Sequence, residues 1–227
     1  EGKTTVSARK LLDIVRALPG NATISVNASE GKAVVKAGKS RFSLATLSSD
    51  DFPDSEGANY MDEISLPQSA LKSLLDETSF AMASQDVRYY LNGLLLERDD
   101  TTLRAVATDG HRLALGSLTT STPVSEKNSV IVPRKAIIEL GRLLNDSDDT
   151  VKVAFSNQQI KVELPDIHFT SKLIDGQFPN YERVLPLGGD KEVLADRDEL
   201  KQALSRAAIL SNDKHRSVRI NLETDQL

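Results

Sequence analysis

An acid and a histidine stand two residues apart in Ala107-Thr108-Asp109-Gly110-His111-Arg112-Leu113. That pairing suggests general acid–base work or metal ligation. Asp109-Gly110 lies between two runs of alternating hydropathy, however, and is the strongest short hairpin signal in the chain. Neighbouring strand residues point to opposite faces, so His111 and Arg112 are not expected to converge. The other histidines, His168 and His215, have no metal-ligand spacing to His111 or to each other. There is no G-x-S-x-G, no phosphate-cradling glycine loop and no H-E-x-x-H. The string reads as a structural hairpin, with a binding rim as the alternative and a hydrolase using Asp109 and His111 as a further rival. No catalytic residue, metal or cofactor is expected.

A second string, Gln85-Asp86-Val87-Arg88-Tyr89-Tyr90-Leu91-Asn92-Gly93, holds two of the four tyrosines in a chain that is 4% aromatic. Paired tyrosines beside an arginine suit contact with phosphate, a base or an aromatic peptide side chain. Strand core is the competing reading, stronger for Tyr90 than for Arg88 and Tyr89.

These strings hang on a repeated framework. A β-strand ending in a small cap, then an amphipathic helix, begins at Val6, Leu66, Val132 and Leu194. A spacing of roughly 60 residues marks one supersecondary unit used repeatedly. Leu11, Ile14, Val15 and Leu18 make the first apolar stripe, with Ser7 as N-cap and Pro19-Gly20 as the stop. Leu71, Leu74 and Leu75 make the second behind Pro67, and Ile137, Leu140, Gly141 and Leu144 the third behind Pro133. Leu200, Ala203, Leu204 and Ala207 make the fourth, where Asp196 and Glu199 have capping-box spacing.

Between helices the hydrophobic period changes to 2. Residues 23–27, 32–36 and 41–45, then 93–97, 103–108 and 112–117, then 151–154, 159–163 and 168–173 read as antiparallel strands. Each unit is therefore β-α-β-β-β, and two units make a domain of ordinary size. Residues 47–60 read as a first linker and 186–190 as a second. The expected division is 1–60, the second half of one domain plus linker; 61–186, a complete domain; and 187–227, a linker and the start of a third.

The chain has 227 residues, 39% hydrophobic and 27% charged, the proportions of an ordinary globular protein. It has no cysteine, which removes disulfides and thiolate chemistry and fits a reducing cytoplasm. No apolar run approaches the roughly 20 residues that span a bilayer, so no membrane role is expected. The chain begins without Met and ends in the strand-like run 218–222, so an internal piece of a longer protein is expected. The net charge of −5 argues against a simple nucleic-acid binder. Its distribution argues otherwise. Arg9, Lys10 and Arg16 outnumber Asp13 in the first helix; Arg134, Lys135 and Arg142 outnumber Glu139 in the third; Arg197, Lys201 and Arg206 outnumber Asp198 and Glu199 in the fourth. Only the second is acidic, with Lys72 against Asp76 and Glu77. Basic helices on an acidic body focus a field toward one surface, although solvated helix faces are the plain alternative.

QDVRYYLNG at 85–93, ATDGHRL at 107–113, SVIVPRK at 129–135, FPNYERVLP at 178–186 and AAILSN at 207–212 together resemble the bacterial sliding clamps, the β subunits of DNA polymerase III. The resemblance runs in order along essentially the whole chain. It implies an α+β DNA-clamp fold of repeated β-α-β-β-β half-domains, helices on one side and antiparallel sheets on the other. It also implies a non-enzymatic processivity factor whose three-domain chains pair head to tail as a homodimeric ring around duplex DNA.

The implied partners are duplex DNA, bound without sequence preference, and replicative and translesion polymerases, the clamp loader and repair factors, docked through short linear peptides. The implied peptide-pocket wall is Tyr90, Leu91, Thr108, Gly110, His111, Arg112, Leu113, Pro179, Arg183 and Val184, with Leu91 in its apolar floor. Arg9, Gln85, Arg88, Tyr89, Arg134 and Lys135 match the DNA-facing surface. Phe42 and Leu44 match one side of the dimer contact and Ile209 and Leu210 the other, four apolar residues whose burial is expected to need a partner. Arg134, Lys135 and Lys72 are expected to be exposed on the helical side. A repeat scaffold that binds peptides but never DNA is the remaining rival.

Overall fold

The structure is a computed structural model in which residues 2–29, 31–52, 59–60, 62–186, 188–190, 192–211 and 217–223 are described. It divides into two compact units, Glu1–Phe178 and Pro179–Leu227.

In the first unit, the opening segment is β1 (Thr5–Val6), α1 (Ala8–Ala17), β2 (Ile24–Ser29), β3 (Lys32–Ala37) and β4 (Ser40–Leu47). Its strands form an antiparallel sheet in the order β1-β4-β3-β2. Ala33, Val35 and Leu44 are buried against Val6, Leu11, Ile14 and Phe42, so α1 covers one face of the sheet. The stripe is narrower than its sequence suggests. Val15 is 43% exposed, because a single sheet reaches only one side of the helix.

The rest of the first unit runs β5 (Asp62–Pro67), α2 (Gln68–Thr78), β6 (Gly93–Asp99), β7 (Thr102–Thr108), β8 (Leu113–Thr119), β9 (Asn128–Pro133), α3 (Arg134–Leu143), β10 (Thr150–Phe155), β11 (Gln159–Glu163) and β12 (His168–Lys172). This is β-α-β-β-β twice, with an exchange. The sheets are β8-β7-β6-β9 and β12-β11-β10-β5, so the strand before each helix joins the other half's sheet. Both sheets are wholly antiparallel.

The core lies between these sheets and the two helices, which pack on each other. Leu71, Leu74 and Leu75 of α2 and Ile137 and Leu140 of α3 meet Leu94, Leu96, Leu103 and Val132 from one sheet and Ile64, Val151, Val153 and Ile160 from the other. Full burial of one such side chain is worth about 1.5–3 kcal/mol. Where α2 crosses β8, a Cβ on Gly116 would stand 3.0 Å from Leu74 Cδ1 and 3.2 Å from Thr78 Cγ2, which explains a glycine inside a strand. The open N–H groups at the start of α2 are met from the α3–β10 connection: Gln68 N donates to Asp149 O at 2.9 Å and Ser69 N to Ser147 O at 2.9 Å. Pro67 and Pro133 stand at the N-cap positions, where a missing N–H costs nothing.

In the second unit, a 3-10 turn at Tyr181–Val184 precedes α4 (Arg197–Ala208). Asp196 caps α4 as expected, accepting from the N–H groups of Asp198 and Glu199 at 2.9 Å each. Two expectations fail here. Residues 192–196 and 217–222 form no strand, and Leu194 is 92% exposed, because neither segment has a ladder partner among the described residues. Of the linkers, residues 53–58 and Leu187 lie outside the described residues.

Candidate functional site

The β7–β8 hairpin forms, with Thr108 opposite Leu113 in the register. Its loop is therefore the four residues 109–112, and β8 starts one residue later than its sequence suggests. Gly110 has φ +87, the left-handed region that glycine enters freely. A Cβ there would also lie 3.0 Å from Arg88 Nη1.

The carboxylate of Asp109 organises this loop. Its Oδ1 accepts from the backbone N–H of His111 at 2.9 Å and of Arg112 at 3.0 Å, and its Oδ2 accepts from Arg112 Nε at 3.1 Å. The two backbone hydrogen bonds, then the Arg112 side chain, hold its pKa below the usual carboxylate range. Asp109 is a loop-former and addresses the backbone of His111, not its ring. The acid–base pairing is thereby removed. Among the described residues no group of three or more His, Cys, Asp or Glu could hold a metal ion.

Arg112 reaches on to donate from Nη2 to Phe80 O at 2.8 Å, with its guanidinium 5.4 Å from the Phe80 ring centroid. Thr108 Oγ1 donates to Arg112 O at 2.7 Å and accepts from Gly110 N at 3.0 Å. Its hydroxyl is therefore engaged inside the hairpin. His111 and Arg112 are exposed, and Leu113 is half-buried at the mouth of β8.

The paired tyrosines are in no strand. Tyr89–Leu91 is a 3-10 turn, with Tyr89 56% exposed, Tyr90 half-buried and Leu91 only 2% exposed. The tight turn points Leu91, which follows the two tyrosines in sequence, inward beneath them, and its carbonyl accepts from Ala83 N at 3.0 Å. Tyr89 and Tyr90 meet edge to face with ring centroids 5.7 Å apart.

Sequence reasoning missed the clasp that closes this turn. Asp86 N donates to Asn92 Oδ1 at 2.9 Å, and Asn92 Nδ2 returns a bond to Asp86 O at 2.8 Å. Gln85, exposed before it, takes φ 58. Arg88 grips Asp86 through Nε at 3.0 Å and Nη2 at 2.8 Å, and its Nη2 also donates to Asp109 O at 3.2 Å. The Arg88 side chain, then its backbone N–H, lowers the Asp86 carboxylate to about 2. Arg88 thus ties the tyrosine turn to the hairpin, and its charge is already matched by a carboxylate. No sequence periodicity marks such a clasp.

The other basic residues separate in the same way. Arg134 is half-buried and donates from Nη1 to Met82 O at 3.2 Å. Lys72 is half-buried and pairs with Asp76 at 3.1 Å. Lys135 is exposed, as is Arg9 on α1. Only Lys135 of the three central-domain cations is exposed as expected. Leu44 is 7% exposed inside its own segment's core with Phe42 half-buried beside it, because both point from β4 toward α1. Burial of Leu44 needs no partner chain, which corrects that premise. Ile209 is 76% and Leu210 93% exposed at the end of α4. Pro179, Arg183 and Val184 are all exposed in the second unit.

Three family profiles match in series. They are the DNA polymerase III beta subunit N-terminal domain at residues 1–56, its central domain at 65–180 and its C-terminal domain at 182–227. The beta sliding clamp of Pseudomonas aeruginosa is 52% identical over 226 residues, and that of Escherichia coli K12 is 49% identical over 229. Each match takes in 100% of this chain and 62% of the relative. A crystal structure of the Pseudomonas aeruginosa beta subunit superposes with a TM-score of 0.88 at 53% identity, over 94% of this chain and 58% of that one. The Bacillus subtilis clamp gives 0.86 at 28% identity, over 93% and 56%. A griselimycin-bound Pseudomonas aeruginosa clamp gives 0.88 at 53% identity, over 95% and 58%. The α+β architecture is that of the sliding clamps. The chain belongs to the DNA polymerase III beta subunit family, and it spans about three fifths of the length of the curated relatives it matches.

Proposed function

We propose that this chain is part of a sliding clamp, a non-enzymatic processivity factor that encircles duplex DNA and tethers polymerases to it. The observation that carries this reading is identity of about half to beta sliding clamps along the entire chain. Residues 1–60, 61–186 and 187–227 would then be parts of the first, second and third clamp domains. The Asp109 geometry supports a binding role for the hairpin over a catalytic one. Attraction between exposed cations such as Arg9 and Lys135 and phosphates would be sequence-independent and salt-sensitive.

In this reading the exposed or half-buried Tyr90, Gly110, His111, Arg112 and Leu113 offer partner peptides an apolar step with polar edges. Polymerases, the clamp loader and repair factors are the expected owners of those peptides, in the cytoplasm at the nucleoid. Gln85 and Tyr89 join Arg9 and Lys135 as the candidates for DNA contact. Ile209 and Leu210 meet Phe42, which packs against the cluster that contains Leu44, in a homodimer.

The test is retention of the full-length protein, after loading, on nicked circular DNA before and after linearisation. A topological tether stays on the circle and slides off the linear form. Equal loss from both would overturn the proposal.

A further inference from the structure

Two polar residues interrupt the inward-facing rows of the central domain at the same end. In β6, Leu94 and Leu96 are core residues and the next position on that face is Arg98. In β5, Ile64 and Leu66 are core residues and the position before them on that face is Asp62. β5 and β6 belong to different sheets, so the two side chains meet across the layer between them.

The Arg98 side chain is 2% exposed and that of Asp62 12%. Arg98 Nη2 donates to Thr122 O at 2.8 Å, while Nε stands 3.9 Å from Asp62 Oδ2, beyond hydrogen-bond reach. Among the described residues, Arg98 Nε and Nη1 and Asp62 Oδ2 have no hydrogen-bond partner. The backbones cannot simply slide together. Asp62 is in register with Phe155, and Arg98 with Leu103 on one side and Asn128 on the other. An open cleft of about 500 Å³ reaches this end, lined by Asp62, Glu63, Pro123, Val124, Lys127 and Asn128. Lys127 pairs with Glu97 at 2.9 Å and Glu63 faces Lys152 at 3.8 Å.

An anion in the gap would face the Asp62 carboxylate, and a cation would face the guanidinium. The group that fits accepts from N–H and donates to a carboxylate, as a water molecule does. Thr122 belongs to the 120–127 connection that joins the two halves of the central domain. That connection is also held by Thr120 N on Thr101 O at 2.7 Å and Val124 N on Asp100 O at 3.1 Å.

We propose that Arg98 and Asp62 form a solvent-bridged latch that fixes one end of the two sheets and seats the connection between the half-domains. In this proposal the two buried charges set the register of the sheets, since desolvation offsets much of what such a pair adds to stability. Two measurements on the full-length protein test it. A high-resolution crystal structure is expected to show a water within hydrogen-bond distance of Arg98 Nε and Asp62 Oδ2. A direct ion pair with nothing between would overturn the bridge. In hydrogen exchange, Arg98→Met is expected to speed exchange in peptides covering 62–67 and 120–128 on the order of tenfold, leaving α2 and β7 unchanged. A uniform rise across the central domain, or no change, would overturn the latch. Asp62→Asn, which keeps the side-chain shape, is expected to give a smaller rise in the same peptides, so the readout survives if Arg98→Met does not fold.

Discussion

Leu113 is the half-buried apolar residue that opens β8, directly after a loop held shut by Asp109. A partner peptide seating a bulky apolar side chain against it would gain up to about 1.5–3 kcal/mol. Leu113→Asp in the full-length protein replaces that contact with an unpaired charge. Peptide affinity in calorimetry is expected to fall by at least tenfold, while retention on circular DNA is unchanged. Equal affinity for wild type and variant would place the peptide site elsewhere. The Asp86 carboxylate gives a second test at this scale. Its folded pKa, about 2, lies below the ordinary 3.8, so its contribution is full above that ordinary value and is lost as pH falls through the folded one. A carboxylate NMR titration is expected to find its midpoint near 2, with the 86–92 turn loosening only there. A midpoint near 3.8 would mean that the Arg88 grip is absent in solution. Asp109-Gly110 announced a turn in the sequence, but the role of the Asp109 carboxylate was not legible. Side-chain bonds to a nearby backbone leave no trace in hydropathy.

Helices and strands were the most legible elements, since each stripe or alternation is a local signal. The four helices and nine antiparallel strands read between them stand within a few residues of their expected places. Period 2 says which face a strand buries, but not which neighbour it pairs with. The exchange of β5 and β9 between half-domains was therefore invisible, as was the missing strand before α4. Charge was only partly legible for a similar reason. Composition counts a cation whether or not a carboxylate or carbonyl holds it, and Arg88, Arg134 and Lys72 are held. Lys135 at the start of α3 and Arg9 on α1 are exposed. Lys135→Glu and Arg9→Glu are expected to weaken DNA binding across all sequences alike, each lowering the salt slope by about one. Lys72→Glu is expected to change it less. An unchanged slope in Lys135→Glu, measured by fluorescence anisotropy across a salt series, would remove α3 from the DNA-facing surface.

At the scale of the molecule, the strand exchange makes the central domain indivisible, because each half supplies an edge strand to the other's sheet. The end of α4 is different. Ile209 and Leu210 are large apolar residues left open at 76% and 93% exposure, so their present contribution to the fold is small. Phe42, half-buried on β4, packs against the cluster that contains Leu44 and is the proposed counterpart. If these surfaces meet in a dimer, truncating each of Ile209 and Leu210 removes roughly 2–5 kcal/mol where the side chain becomes fully buried. In the full-length protein, Ile209→Ala with Leu210→Ala is expected to raise the dimer dissociation constant by at least about a hundredfold, since each 1.4 kcal/mol is a factor of ten. The unfolding temperature of the dissociated monomer is expected to stay near that of wild type if the two side chains serve the interface alone. That second readout separates a lost interface from a damaged fold. An unchanged dissociation constant in analytical sedimentation would remove Ile209 and Leu210 from the contact and leave their exposure to be covered by something other than a second copy.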